Sequence, residues 1–258
     1  MTQLQFLGTS DAKGVPRILC GCSVCQEKKA VNIRTRPSLA IRLKQETIFI
    51  DLSPDFRTQC LRFLNKKIAS AVLLTHAHND HISGLGDYAD LLFGQKKQGA
   101  IISPSDIIDT VQNRYPYLKN RPLLQFAGES EWEIGPYKVT FHRVNHGFNG
   151  YSYGIKFTGH DYTWAYVSDA INLSQQEIKP FIGLDLLIIG TSFWDEKAPM
   201  HTRSVYSVKE ILEIDKVLQA KTIIFTHLSH DIDVEKRKKE IPAHTMFAYD
   251  GMEYNLPV

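Results

Sequence analysis

Two hydrophobic periods alternate along the chain. Leu4 to Leu7 is a short apolar run and reads as a strand. Ser38 to Leu43 alternates apolar and polar side chains, as a half-buried strand does, and Thr47 to Ile50 pairs with it through Lys44-Gln45-Glu46 as a hairpin. Asp55 to Leu64 changes period: Phe56, Cys60, Leu61 and Leu64 recur at helical spacing, which makes Cys60 a small buried apolar residue. Ala71 to Thr75 reads as a buried strand, and Ile82 to Phe93 as a helix with Leu85, Tyr88, Ala89 and Leu92 on one face. A short strand at Ala100 to Ser103 precedes a helix that Pro104 begins and that runs towards Tyr115, and Tyr115 to Arg121 reads as a rim loop. Strands follow at Leu123 to Phe126, Glu131 to Ile134, Lys138 to Arg143, Ser152 to Phe157, Tyr162 to Val167 and Leu184 to Ile189. A helix from about Ser204 to Leu218, a buried strand at Lys221 to Thr226 and an edge strand at Met252 to Leu256 complete the chain. No repeat, low-complexity tract or linker interrupts this order. Runs of strands with interspersed helices predict two packed sheets with outer helices in a single domain, 1–258.

Composition narrows the function classes. A chain of 258 residues with 43% hydrophobic and 22% charged residues is an ordinary globular protein with room for a sizeable core. The net charge of +2 is too small to argue for nucleic acid, and no DNA partner is expected. The basic runs Lys66-Lys67, Lys96-Lys97 and Lys236 to Lys239 read as solvated surface. Met1 to Ser10 lacks a basic segment followed by an apolar one, and no apolar run nears bilayer-spanning length, so the expected compartment is the cytoplasm, with no membrane partner. In that compartment, three clustered cysteines point to metal rather than to disulfides.

The chemistry concentrates after the strand at Ala71 to Thr75. In Thr75-His76-Ala77-His78-Asn79-Asp80-His81, four metal-capable side chains fall within six residues. Imidazole nitrogen and carboxylate oxygen are ligand types that zinc and manganese accept. His146, Asp169 and His227 each follow a different predicted strand. A lone His is usually a hydrogen-bonded structural group, but polar residues recurring at strand exits would meet on one rim. Seven such side chains exceed what one zinc takes and suit two metals sharing a bridge. Separately, Cys20-x-Cys22-x-x-Cys25 offers three thiolates in a loop at about 18–27, and thiolates with one imidazole form a closed structural zinc site. His230, in Thr226-His227-Leu228-Ser229-His230, is the candidate fourth ligand. His201, in Ala198-Pro199-Met200-His201-Thr202, precedes a helix, and the sequence around it leaves open whether it has a role.

The motif His76-x-His78-x-Asp80-His81, with His146, Asp169 and His227 downstream in that order, resembles the metallo-β-lactamase superfamily over nearly the whole chain. The resemblance implies an α/β (α+β) fold, the four-layer αββα sandwich, with a two-metal site at one edge. It assigns His76, His78 and His146 to the first metal, Asp80, His81 and His227 to the second, and Asp169 to the bridge. An aspartate at the bridge is more similar to the phosphodiesterase and glyoxalase-II branches than to the antibiotic-cleaving lactamases. With the Cys-rich loop, the Thr-His-x-Ser-His segment and Asp250-Gly251-Met252-Glu253, the chain is similar to the PhnP-type (phosphoribosyl cyclic) phosphodiesterases and to relatives linked to pyrroloquinoline-quinone biosynthesis. It departs from them at Tyr115 to Arg121 and at Phe148 to Tyr153, segments that border the substrate pocket, so the exact substrate does not carry over.

The implied activity is metal-dependent hydrolysis of a small cyclic phosphodiester by hydroxide held between two zinc or manganese ions, with one further structural zinc. Asp80 would orient the nucleophile, and His201 would contact phosphoryl oxygens or protonate the leaving oxygen. The partner is a small-molecule phosphodiester, and a homodimer is one permitted assembly. The rivals are an RNase Z-type nuclease, although no RNA-gripping insertion is evident, a cyclic-nucleotide phosphodiesterase, a pyrroloquinoline-quinone-type hydrolase, a glyoxalase-II-type thioesterase, and a metal-binding protein that kept the fold without turnover.

Overall fold

The structure is a computed structural model that describes residues 2–27, 29–64 and 68–257. The first sheet takes β1 (Thr2–Gly8), β2 (Ser38–Arg42), β3 (Thr47–Ile50), β4 (Ala71–Leu73), β5 (Gly99–Ser103) and β6 (Leu124–Gly128). The second takes β7 (Glu131–Ile134), β8 (Tyr137–Asn145), β9 (Tyr151–Thr158), β10 (Thr163–Val167), β11 (Leu186–Phe193), β12 (Tyr206–Ser207), β13 (Ile223–Thr226) and β14 (Thr245–Phe247). β15 (Glu253–Leu256) returns to the edge of the first sheet, giving the order β15-β1-β2-β3-β4-β5-β6. The second sheet runs β14-β13-β11-β10-β9-β8-β7, with β12 beside β11. The helices among the described residues are α1 (Ser23–Glu27), α2 (Phe56–Phe63), α3 (Asn79–Ile82), α4 (Leu85–Gln95), α5 (Ser105–Arg114), α6 (Gln175–Ile178), α7 (Val208–Leu218) and α8 (Val234–Arg237).

Alternation along the strands feeds two cores at once. In β2 to β4, Leu39, Ile41, Ile48, Ile50, Ala71 and Leu73 face the space between the sheets, where they meet Phe157, Trp164 and Ile188. Their neighbours Ala40, Phe49 and Val72 face outward against Phe56, Tyr88, Leu92 and Ile108 of α2, α4 and α5. The second sheet does the same, with Val167, Leu187, Ile189 and Phe225 packed under Val208, Ile211 and Leu218 of α7. The result is the four-layer αββα sandwich that the resemblance implies. Strands covered on both faces read as near-continuous apolar runs.

Several boundaries differ from the expectation for physical reasons. Ser38 to Ile41 is buried on both faces rather than alternating, since the small Ala40 packs under the helices. The helix expected from Ile82 is two pieces, α3 and α4, separated at Ser83-Gly84, where a Cβ on Gly84 would lie 2.6 Å from the Ser53 carbonyl. The helix expected from Ser204 begins at Val208, because Tyr206–Ser207 pairs with β11 and Ser207 forms a capping box with Glu210. Leu186–Phe193 stays in the sheet through Gly190-Thr191-Ser192, beyond the expected end at Ile189. Pro116–Asn120 is a 3₁₀ turn rather than open loop. Cys60 is half-buried against the outer core, and burial pushes its thiol up to about 12. Lys96-Lys97 is exposed, Lys236 and Lys238 pair with neighbouring carboxylates, and Lys66-Lys67 lies outside the described residues. No helix of the described residues is long and apolar enough to cross a membrane.

Candidate metal centre

Strand direction brings the candidate ligands to one edge. β4 runs parallel to β3 and β5, and β10, β11 and β13 are mutually parallel. β8 shares the direction of β10, since both are antiparallel to β9. The chain leaves β4 into Thr75 to His81, β8 into His146, β10 into Asp169 and β13 into His227. The two sheets are tied there, because Tyr153 N–H donates to the Thr75 carbonyl at 2.9 Å. Gly190 on β11 lets the exits close: a Cβ would lie 1.7 Å from the Ser168 carbonyl and 3.2 Å from the Cβ of His227.

All seven predicted residues meet. His76, His78 and His146 form one group, and Asp80, His81 and His227 a second, with ligand atoms within 4.8 Å of one another. Asp169 groups with His76 and His81, one residue from each set, as a bridging carboxylate must. Its Oδ2 is 3.2 Å from His81 Nε2, and its Oδ1 is 3.4 Å from His227 Nε2 and 3.7 Å from His146 Nε2. Among the described residues, buried His81 Nε2, His227 Nε2 and Asp169 Oδ2 have no hydrogen-bond partner of proper geometry. Buried polar atoms left open in this way, within the overlapping groups of candidate ligands, fit cations.

The outer nitrogens of the imidazoles are held. His146 Nδ1 donates to the Ser204 carbonyl at 2.7 Å, which leaves Nε2 free to ligate. His76 Nδ1 lies 2.9 Å from Thr75 Oγ1, His81 Nδ1 2.7 Å from Asp51 Oδ2, and His227 Nδ1 3.3 Å from Ser192 Oγ. Asp51 also accepts from Thr75 N and Thr75 Oγ1, both at 2.8 Å. One buried carboxylate therefore orients His81 directly and His76 through Thr75, a ligand from each set. The hydrophobic pattern places Asp51 just past the strand Thr47 to Ile50 and does not single it out for this role. The available signal was a carboxylate at the exit of an apolar strand beside the one that carries the His motif.

Charge divides the two sets. Burial holds His76, His78 and His146 below the usual imidazole range, so their lone pairs are available. Burial also opposes charge on His81 and His227, but Asp80 and Asp169 outweigh it and raise both imidazoles. In turn, burial raises Asp80 and Asp169, and the imidazoles overcome it, holding both carboxylates well below the usual range. The first set therefore offers its nitrogens to a cation more readily than the second, where uptake of a cation competes with protons.

The cysteine loop closes on its own. Cys20, Cys22 and Cys25 surround His230 Nδ1 at 3.1, 3.5 and 3.6 Å from Sγ. This sulfur and nitrogen donor set fits a tetrahedral zinc. The segment Ser23–Glu27 is a short helix rather than loop. Arg17 braces the group, with its guanidinium 2.9 Å from His230 Nε2 and paired with Asp11. Leu228 to His230 follows His227 directly, so His230 of the cysteine cluster and His227 of the seven-residue centre share one loop.

His201 stands outside the ligand groups. It is exposed on the 3₁₀ turn Met200–Thr202 and lines an open cavity of about 540 Å³ with Asn145, Gly147, Phe148, Ile171, Asn172 and Met200. That cavity borders the ligands, because Asn145 and Gly147 flank His146, and Ile171 follows Asp169 by two residues.

A family model described as "Beta-lactamase superfamily domain" matches residues 46–228. A curated relative from Porphyromonas gingivalis named octanoyltransferase is 30% identical over 262 residues, covering 96% of this chain and 50% of its own length. The chain thus spans about half the length of the curated relative it matches. The solved structure of a new diphosphatase from the PhnP family superposes with a TM-score of 0.88 at 26% identity, over 100% of this chain and 99% of the other. Zn(2+)-bound PqqB from Methylobacterium extorquens follows at 0.81 and 18%, over 98% of this chain and 100% of the other. The short form of human tRNase Z gives 0.73 and 18%, over 99% and 100%.

Proposed function

The chain belongs to the metallo-β-lactamase superfamily, a family with metal-dependent hydrolases among its members, and we propose that it hydrolyses a small cyclic phosphodiester. The observation that carries this reading is Asp169 reaching a nitrogen of each ligand set at one buried point. Divalent cations bound at these side chains would offset the charge of an anionic phosphodiester and bring the pKa of a bound water toward ~7. His76, His78 and His146 would hold one, Asp80, His81 and His227 the other, and Asp169 both. Asp51, Ser192 and Ser204 keep the imidazoles turned inward. Asp80, below the usual carboxylate range, stays ionised, suited to ligating a cation and orienting a nucleophile rather than to taking up a proton. His201, free of protein partners among the described residues and facing the cavity, can contact phosphoryl oxygens or protonate the leaving oxygen. Cys20, Cys22, Cys25 and His230 would hold a structural zinc.

The name of the 26%-identical neighbour favours a second reading, cleavage of a diphosphate, which asks the same chemistry of the site. The name octanoyltransferase belongs to a protein of twice the length, and acyl transfer is the competing chemistry. Zinc- and manganese-loaded protein should be assayed on bis-p-nitrophenyl phosphate, 2′,3′-cyclic nucleotides, a nucleoside diphosphate, pre-tRNA and a thioester. Turnover of the cyclic esters is expected. Turnover confined to pre-tRNA or thioester refutes the reading. His201→Ala should keep its metals and lose roughly 10²–10⁴ in kcat, and unchanged kcat removes His201 from the reaction.

A further inference from the structure

We propose that the cavity beside His201 receives a planar heteroaromatic group, a nucleobase, on the leaving side of the scissile phosphodiester. For the reacting end this rests on the phosphodiesterase reading. For the cavity it rests on how its walls are built. One wall is the turn Gly147–Asn149, a second is Met200–Thr202, and a third is Ile171-Asn172. These walls are clamped together. Phe148 N–H donates to the Arg203 carbonyl at 3.0 Å, and His146 Nδ1 donates to the Ser204 carbonyl at 2.7 Å. The side chain of Asn145 donates to the Ile171 carbonyl at 2.7 Å and accepts from Gly147 N–H at 3.0 Å. Gly147 sits at φ 57°, and a Cβ there would lie 2.2 Å from the Arg203 carbonyl, so the first two walls approach only because the residue is glycine. Arg203 is itself fixed, 5% exposed and paired with Glu196 and Glu210.

On this pinned frame the Phe148 side chain is 76% exposed and Met200 47%. An aromatic ring offered to solvent on a rigid turn two residues from a metal-ligand candidate is a stacking platform, and a thioether adds favourable contact with aromatic rings. Asn172, exposed at φ 50°, supplies an amide at the cavity wall. A flat ring with polar edges satisfies both surfaces. An acyl chain would need an enclosed apolar slot, whereas Asn145, Asn172 and His201 share this lining. His201 in the same cavity puts the bound base on the side where the leaving oxygen departs.

The test compares adenosine 2′,3′-cyclic phosphate with glycerol 1,2-cyclic phosphate, which lacks a base. A second arm measures binding of adenosine 3′-monophosphate against glycerol phosphate by calorimetry on the metal-loaded protein. The base should tighten KM and Kd by about tenfold or more, the size of base–aromatic stacking. Phe148→Ala should raise both for the adenosine compounds by about tenfold more than for the glycerol compounds, and Phe148→Tyr should restore the preference. Equal binding of the two classes by the parent protein, or equal losses for both in Phe148→Ala, overturns the assignment. If neither cyclic ester is hydrolysed, the phosphodiesterase reading falls, and the binding comparison still decides the base site.

Discussion

Truncating Asp51 should loosen both halves of the metal centre at once. The side chain is fully buried and accepts three hydrogen bonds, from Thr75 N and Oγ1 at 2.8 Å each and from His81 Nδ1 at 2.7 Å. Thr75 Oγ1 donates to Asp51 and is thereby left to accept from His76 Nδ1 at 2.9 Å, so the carboxylate sets the tautomer of a ligand in each set. Asp51→Ala leaves a buried N–H without its acceptor and an imidazole without its counter-charge, and breaking a buried charged pair costs about 3–5 kcal/mol. The φ of 58° adds to this, since alanine tolerates the left-handed region less well than aspartate, by roughly 1 kcal/mol. Loss of such an outer contact typically lowers metal affinity by about 10–100-fold. Asp51→Asn separates the effects, because it keeps the size and tolerates the backbone while removing the charge. The assays are urea unfolding of the metal-free protein and chelator competition on the loaded one. The expected result is weakened affinity for two metals per chain in both variants, with the larger stability loss in Asp51→Ala. If both variants lose stability but bind metals as tightly as the parent, the orienting role is refuted.

Other perturbations separate architecture from chemistry. Gly190→Ala drives a Cβ to 1.7 Å from the Ser168 carbonyl, so urea unfolding should show a loss above about 4 kcal/mol or no folded protein, whereas Gly94→Ala in α4 meets nothing within 4 Å and should gain roughly 0.5–1 kcal/mol. Cys22→Ser should lower the metal count by about one per chain and reduce stability while retaining the other metals; full stability with lost activity would contradict a structural site. Asp250 holds Thr9 and Thr35 through four hydrogen bonds, and burial pushes its carboxyl up to about 6. A raised carboxyl retains a proton in the folded state that the unfolded chain has released. Its contribution is complete below about pH 4 and is lost as pH rises through 6, an effect of at most about 3 kcal/mol. Urea midpoints across pH 4–7 should show this fall in the parent and not in Asp250→Asn; parallel profiles refute it.

The sandwich was legible in the sequence because its strands are covered on both faces and its long helices on one. Apolar runs at Thr47 to Ile50 and Ala71 to Leu74 and the stripe of Leu85, Tyr88, Ala89 and Leu92 marked strands and helix directly. Errors fell where tertiary contact overrides local pattern. Ser83-Gly84 breaks a helix because Gly84 abuts the Ser53 carbonyl, and Tyr206–Ser207 stays extended because β11 recruits it. Each competition is a contact between separate elements, which the local period of hydrophobic residues does not encode.

The candidate site divides along the same line. The candidate ligands are residue types with few other reasons to cluster, and His76, His78, Asp80 and His81 announce themselves within one loop. The groups that aim them have no such signature. Asp51 at a strand end, the Ser204 carbonyl under His146 and the Ser192 hydroxyl beside His227 are ordinary in sequence, and become specific only at 2.7 to 3.3 Å from a ring nitrogen. The same holds for the cavity. Phe148 looked like one more residue in a divergent segment until Gly147 brought its backbone onto Arg203 and left the ring facing outward. The candidate metal-binding residues are therefore legible as composition at strand exits, while the orientation of their rings and the shape of the neighbouring cavity are carried by backbone geometry. Substitutions that preserve every ligand can still change what the centre acts on.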